Sequence, residues 1–286
     1  MFLESLHKYG FNNLFNVDPS HENEENIIFK AIIGNFPDAL DIDHYRNYFS
    51  CIIGQHFLEH VANPLNVLKG ARDLLADYGE LWIEVPDIET SVLVSYYQTG
   101  IIYPLHLSYF TKASLKTIGE KAGLYLESIE NIQHYGNSIW AKFTKKPNNK
   151  TFYNLKESKL LIPTIKTYFE DIKAFAEKLP KEILCWGAAE RAHTTYGIIS
   201  SFGIKAISIF DSNPEIKGLY ICGIDTPILG PESFPDYPND LLILSPPNHK
   251  SIIEGIKNKL SKNSMIHIPL IGHYTFEKYE EKFFNK

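Results

Sequence analysis

The sequence predicts an α/β protein in two domains, and three observations predict it. Short β-branched or aromatic runs alternate with amphipathic stretches, which is the rhythm of βαβ units and parallel sheets. The alternation occurs twice. Between the two copies lies Lys145-Lys146-Pro147-Asn148-Asn149-Lys150, polar, charged and proline-interrupted, which sets the boundary between a domain 1–146 and a domain 147–286.

The elements follow in order. Phe2 to Tyr9 reads as a helix closed by Gly10, and Asn13 to Val17 as a strand ending at Asp18-Pro19. Ile27 to Ile33 and Tyr48 to Ile53 are rich in residues that suit a pleated, buried surface. Leu58, Val61, Leu65, Leu68, Ala71, Leu74 and Leu75 recur near helical spacing, with a break at Asn63-Pro64 and a stop at Gly79. Glu80 to Val85 is a strand, Lys112 to Ala122 a helix closed by Gly123, and Leu124 to Ile132 with Ile139 to Thr144 a closing antiparallel pair. In the second half a helix runs to about Leu179. A strand Glu182 to Trp186, a turn Gly187-Ala188-Ala189, a helix Arg191 to Phe202 and a strand Ala206 to Phe210 then lead to Asp211. Leu241 to Leu244 and Ser264 to Ile268 are further strands around a helix from Ser251 to Leu260.

Composition narrows the function. With 44% hydrophobic and 22% charged residues the chain is globular, not disordered, collagenous or coiled-coil. Lys plus Arg number 28 against 34 Asp plus Glu, so there is no protein-wide basic surface for nucleic acid or anionic lipid, and a small-molecule substrate is the better partner. The three cysteines, Cys51, Cys185 and Cys222, are too scattered for a disulfide framework or a CxxC zinc site. No signal-peptide order opens the chain and no apolar run reaches the ~18 residues a bilayer span needs, so a cytoplasmic protein is expected.

Several residues carry candidate chemistry. Asp18 at a strand end could accept ribose hydroxyls, or simply form an Asp-Pro turn. His56-x-x-Glu59-His60 has the spacing of an inverted zinc-peptidase motif, but a zinc hydrolase needs a further ligand and a suitable scaffold, and no metal is expected. Gly187 to Arg191 with Asp211 could meet a dinucleotide, yet the second and third glycines are missing. No phosphate-loop pattern and no GxSxG elbow occurs.

Phe2-Leu3-Glu4 through Val17-Asp18-Pro19-Ser20, Cys51-Ile52-Ile53-Gly54-Gln55-His56-Phe57-Leu58-Glu59-His60-Val61 and Gly79 to Pro86 together resemble a class I S-adenosylmethionine-dependent methyltransferase, from residue 1 to about 144. Tyr103-Pro104-Leu105-His106-Leu107-Ser108-Tyr109-Phe110-Thr111 is similar to a segment of sugar C-methyltransferases that act on nucleotide-linked deoxysugars, with Leu105 where that family has Glu. His134 to Ser138 resembles the same family's His-Gly-Gly-Ser turn, though a hairpin turn explains Gly136-Asn137 as well. Gly187 to Arg191, Asp211 to Gly218 and Gly223 to Ile228 resemble its C-terminal domain.

The resemblance implies two Rossmann-like domains, the first an incomplete class I methyltransferase sheet, because the family's glycine-rich motif would lie before Met1. It implies S-adenosylmethionine as cofactor, with Asp18 on the ribose, Asn35 and Phe36 beside the adenine, and Gln55 and His56 beneath the sulfonium. Phe36 could instead belong to the core, and Gln55 and His56 could only cap a helix. His106 would be the base and Tyr103 a hydrogen-bond donor to the developing enolate oxygen, since a carbon beside a carbonyl must lose a proton before methylation. His134, Ser138, Arg191 and Asp211 would face a nucleotide-sugar substrate, Arg191 with the alternative of a helix surface charge. The expected activity is methylation of such a sugar at carbon or oxygen, and a homo-oligomer is left open. The rival is a non-catalytic remnant that binds a sugar nucleotide or a protein partner.

Overall fold

The computed structural model describes residues 2–20, 28–94, 103, 105–134, 137–147, 153–221 and 224–284. Its contacts divide the chain into two compact units, Met1–Ile88 with His106–Glu157, and Glu89–Leu105 with Ser158–Lys286.

The first unit opens with α1 (Phe2–Lys8) and the parallel pair β1 (Phe15–Asp18) and β2 (Lys30–Ile33), in which Asp18 lies opposite Ile33. Next come β3 (Phe49–Gln55), a 3-10 turn over Leu58–His60, α2 (Pro64–Leu74) and β4 (Leu75–Pro86). The first unit resumes, after a short helix α3 (Ile88–Val94) that apart from Ile88 belongs to the second unit, with α4 (Lys112–Lys121), β5 (Tyr125–Gln133) and β6 (Asn137–Thr144). The four-stranded sheet has the order β3-β4-β6-β5, parallel between β3 and β4 and antiparallel beyond. Pattern and caps explain the helices. Asn63 accepts a hydrogen bond from Asn66 N at 3.1 Å with Pro64 behind it, so α2 starts where the sequence breaks, and Val67, Leu68, Ala71 and Leu74 form its buried face. Thr111 and Ser114 close a reciprocal capping box on α4.

Two expected boundaries are corrected here. The helix ends at Leu74 rather than at Gly79, and β4 starts at Leu75 rather than Glu80. Leu75 pairs with Phe49 across a register shift, and a side chain at Gly79 would put its Cβ 2.8 Å from Phe49 O, so Gly79 marks an irregularity inside a strand. The stretch after Pro86, to which the sequence pattern assigns no element, holds α3.

The second unit contains α5 (Leu161–Ala176), β7 (Glu182–Trp186), α6 (Glu190–Ser200), β8 (Lys205–Phe210), β9 (Ile228–Leu229), β10 (Asp240–Ile243), α7 (His249–Ile256), β11 (Met265–Ile268), β12 (Gly272–Thr275) and α8 (Phe276–Phe283). Its sheet runs β12-β11-β10-β7-β8-β9, parallel except at β12, so the order reverses beside β7 as in doubly wound folds. Trp186, Phe210, Phe234 and Tyr279 centre its core. The mixed α/β architecture expected from the alternating pattern is present in both units, while β9, β12 and α8 were not foreseen. No helix among the described residues is long and apolar enough to cross a membrane.

Candidate active site

The parallel register of β3 and β4 sets Gln55 beside Glu84 at the carboxyl ends of both strands. His56, the next residue, has φ 46°, and its N–H donates to Glu84 O at 3.0 Å. That left-handed turn, which histidine tolerates better than branched residues, bends the chain off the strand while the imidazole folds back over the neighbouring strand. Glu84 is 1% exposed and is the hub. Its Oε1 lies 2.6 Å from His134 Nδ1 and 3.0 Å from His56 Nε2, and its Oε2 accepts from Gln55 Nε2 at 3.0 Å. Ser138 Oγ, opposite Pro86 on β6, donates to His134 O at 2.8 Å and stands 3.4 Å from His56 Nε2.

A second carboxylate extends the array. Glu59, on the 3-10 turn and equally buried, places Oε1 3.4 Å from His56 Nδ1 and 3.8 Å from His60 Nε2. Its main-chain carbonyl accepts from Leu107 N at 2.8 Å and Ser108 N at 3.1 Å. Those bonds seat the His106 loop, and the His106 ring stands 4.9 Å from His60 and 5.9 Å from Tyr109. Four imidazoles and two buried carboxylates thus run in one chain: His134, Glu84, His56, Glu59, His60, His106.

The charges follow. The Glu59 carboxylate raises His56 above the usual imidazole range, against its burial and with help from Glu84. Burial would push the Glu84 carboxyl up, but hydrogen bonds from His134 and Gln55 and the charge of His56 hold it below its ordinary value. His56 thus lies between two carboxylates, both of which favour its charged form.

The structure brings together Gln55, His56, His106, His134 and Ser138 in the first unit. Asp18, Asn35 and Phe36 follow the ends of β1 and β2. Asp18 Oδ1 accepts from Ser20 N at 2.8 Å and Ser20 Oγ at 2.7 Å, Asn35 is exposed, and half-buried Phe36 packs edge-on at 6.3 Å from Phe57 against the core. Tyr103 falls in the second unit's segment Glu89–Leu105. Asp211, also in the second unit, braces the turn after β7, its Oδ2 accepting from Ala188 N and its Oδ1 from Asn213 N, each at 2.8 Å; Gly187 supplies φ 104° there. The side chain of Arg191 lies outside what the structure describes, as do Tyr135 and Gly136. His56 lies outside the 3-10 turn, so the H-x-x-E-H histidines do not share one α-helical face. Glu84 escaped sequence reasoning, although a glutamate between Ile83 and Val85 in an apolar strand is itself a signal of a buried, partnered charge.

Residues 1–129 match the family model of a methyltransferase domain. No curated protein matches the chain. Among solved structures, a Haloferax volcanii chain in complex with the Trm112 methyltransferase activator is 14% identical, with a TM-score of 0.42 over 52% of this chain and 78% of that one. A Pyrococcus horikoshii protein is 17% identical, with a TM-score of 0.40 over 51% and 76%. The Burkholderia thailandensis 1,6-didemethyltoxoflavin-N1-methyltransferase, solved with S-adenosylhomocysteine, is 12% identical, with a TM-score of 0.37 over 50% and 65%.

Proposed function

We propose that the chain is an S-adenosylmethionine-dependent methyltransferase acting on a nucleotide-linked sugar, at carbon or oxygen. The methyltransferase-domain match over residues 1–129 carries the methyl-transfer half of this reading and supports S-adenosylmethionine as donor. The sugar rests on the resemblance of the His106 segment and of the second half.

The residues present suit the cofactor. Asp18, Asn35 and Gln55 each stand at or just past the carboxyl end of a strand in a parallel pair, the edge where open α/β sheets take ligands. Asp18 offers a carboxylate to a ribose diol, exposed Asn35 and the Phe36 ring would flank the base, and Gln55 and His56 would lie at the next strand end. When bound, S-adenosylmethionine supplies a methyl group on a positively charged sulfur.

The chain's own residues handle the proton. His106 takes it from the carbon or hydroxyl to be methylated, because imidazole titrates near working pH. The two bonds from Leu107 and Ser108 to the Glu59 carbonyl hold that loop in place before substrate arrives, which lowers the entropy cost of alignment. The assignments of Tyr103, Arg191 and Asp211 to the reaction rest on the resemblance alone.

Incubation with methyl-labelled S-adenosylmethionine and a panel of nucleotide-linked keto-deoxysugars tests the reading. Label passes to the sugar with the wild type, and His106→Ala lowers turnover about a hundredfold or more while cofactor affinity stays intact. Sugar binding without label transfer supports the non-catalytic rival, and full turnover by the variant rejects His106 as the base.

A further inference from the structure

We infer that Glu59, His60 and His106 form a binding site for a divalent transition-metal ion of the zinc class. One ligand atom from each residue lies within 4.8 Å of the other two. Zinc takes imidazole nitrogen and carboxylate oxygen at ~2.0–2.2 Å, which spaces tetrahedral ligands ~3.3 Å apart. Closing the set therefore needs side-chain movement of about 1.5 Å or less. Two histidines and one carboxylate are also a donor set that leaves coordination positions for water or substrate.

A second observation is independent of that spacing. The Glu59 side chain is 1% exposed, and neither of its oxygens has a hydrogen-bond partner. The contacts to His56 at 3.4 Å and His60 at 3.8 Å are longer than charge-assisted hydrogen bonds. A buried carboxylate left this way is costly, and a bound cation would neutralise it. The neighbouring trio His56, Glu84 and His134 also clusters, but there the carboxylate already meets three donors. Zinc at that place would have to displace them. At Glu59 it would loosen only the longer contact to His56, at 3.4 Å.

The local chain supports the three ligands. The 3-10 turn Leu58–His60 carries Glu59 and His60, with Leu58 fully buried beneath it. The bonds from Leu107 N and Ser108 N to Glu59 O tie the third ligand's loop to the same turn. Coordination takes up the ring lone pair that His106 needs as a proton acceptor, so base catalysis at His106 belongs to the metal-free protein and bound zinc would inhibit it. The inference stands apart from the methyltransferase reading, because metal stoichiometry reads it whether or not the protein turns over a substrate.

The test uses the full chain, stripped with chelator and dialysed against Zn²⁺, with bound metal counted by mass spectrometry, affinity measured by chelator competition and Co²⁺ as an optical probe. One equivalent of zinc is expected, with the intense visible absorption of four-coordinate cobalt. Binding should weaken at least about tenfold in His60→Asn, in His106→Asn and in Glu59→Gln, and stay unchanged in His134→Asn. His60 is 38% exposed, so its variant reports binding even if Glu59→Gln fails to fold. Absence of zinc from the wild type overturns the inference. So does unchanged affinity in both His60→Asn and His106→Asn, or loss in His134→Asn alone.

Discussion

Glu84 shows how one buried charge organises several exposed or half-buried groups. Its carboxylate gathers Gln55 and His56 from one distant segment and His134 from another, and its net downward shift says that these donors outweigh the burial. Glu84→Ala leaves His56 and His134 without their common acceptor and should cost about 3 kcal/mol of stability, read as a lowered urea midpoint; a change within about 0.5 kcal/mol would mean that the cluster is not held by this residue. A second buried cluster sets a pH dependence. His267 Nε2 stands 2.9 Å from Asp240 and its Nδ1 2.7 Å from His273, whose ring stacks on Phe175 at 4.4 Å. Burial first, then His267 and Lys178, pushes His273 down to about 4; burial also lowers His267, which Asp240 opposes. The unfolded chain therefore takes up protons that the folded chain refuses between about pH 6.5 and 4, and the associated stability is present above 6.5 and is lost as the pH falls through that window. The urea midpoint should drop between pH 7 and pH 4.5, and His273→Phe should reduce the drop; an equal drop in the variant would contradict the assignment. At this scale the family resemblance named Gln55, His56, His106, His134 and Ser138, whose side chains lie in one array with Glu84 and Glu59. The sequence hid Glu84, whose importance lies in partners that come within reach only after β3, β4 and the β5–β6 hairpin have paired.

Elements were legible where one local rule decides them. The periodicity of α2, the proline after Asn63 and the capping of α4 all act within a few residues, and those helices lie where the pattern puts them. The segment Leu75–Gly79 departs from the sequence expectation because Leu75 continues the helical stripe of Leu68, Ala71 and Leu74, whereas a long-range ladder with Phe49 recruits it into β4. Packing between elements leaves narrow tolerances. A Cβ on Gly119 of α4 would come 2.3 Å from Phe143 Cε1, on the buried face of β6. Gly119→Ala should thus destabilise the chain by about 1–3 kcal/mol despite the better helix propensity of alanine, and an unchanged or raised melting temperature would show that Phe143 can move aside.

Over the whole molecule, the mixed α/β character was readable from the repeated alternation of strand and helix, whereas the grouping of Glu89–Leu105 with Ser158–Lys286 follows from contacts distant in sequence. Among the described strands of the first unit, β1 pairs with β2 and β3 with β4, and no ladder joins the two sheets. Asp18 at the end of one sheet and Gln55 at the end of the other are both assigned to a single adenosyl ligand. Whether this chain binds S-adenosylmethionine is therefore the decisive question. Calorimetric titration of the cofactor into the full chain should give a saturable single-site isotherm, weakened at least about tenfold in Asp18→Asn, which keeps the acceptor that Ser20 uses but removes the charge offered to the ribose. No heat at millimolar cofactor would contradict the account.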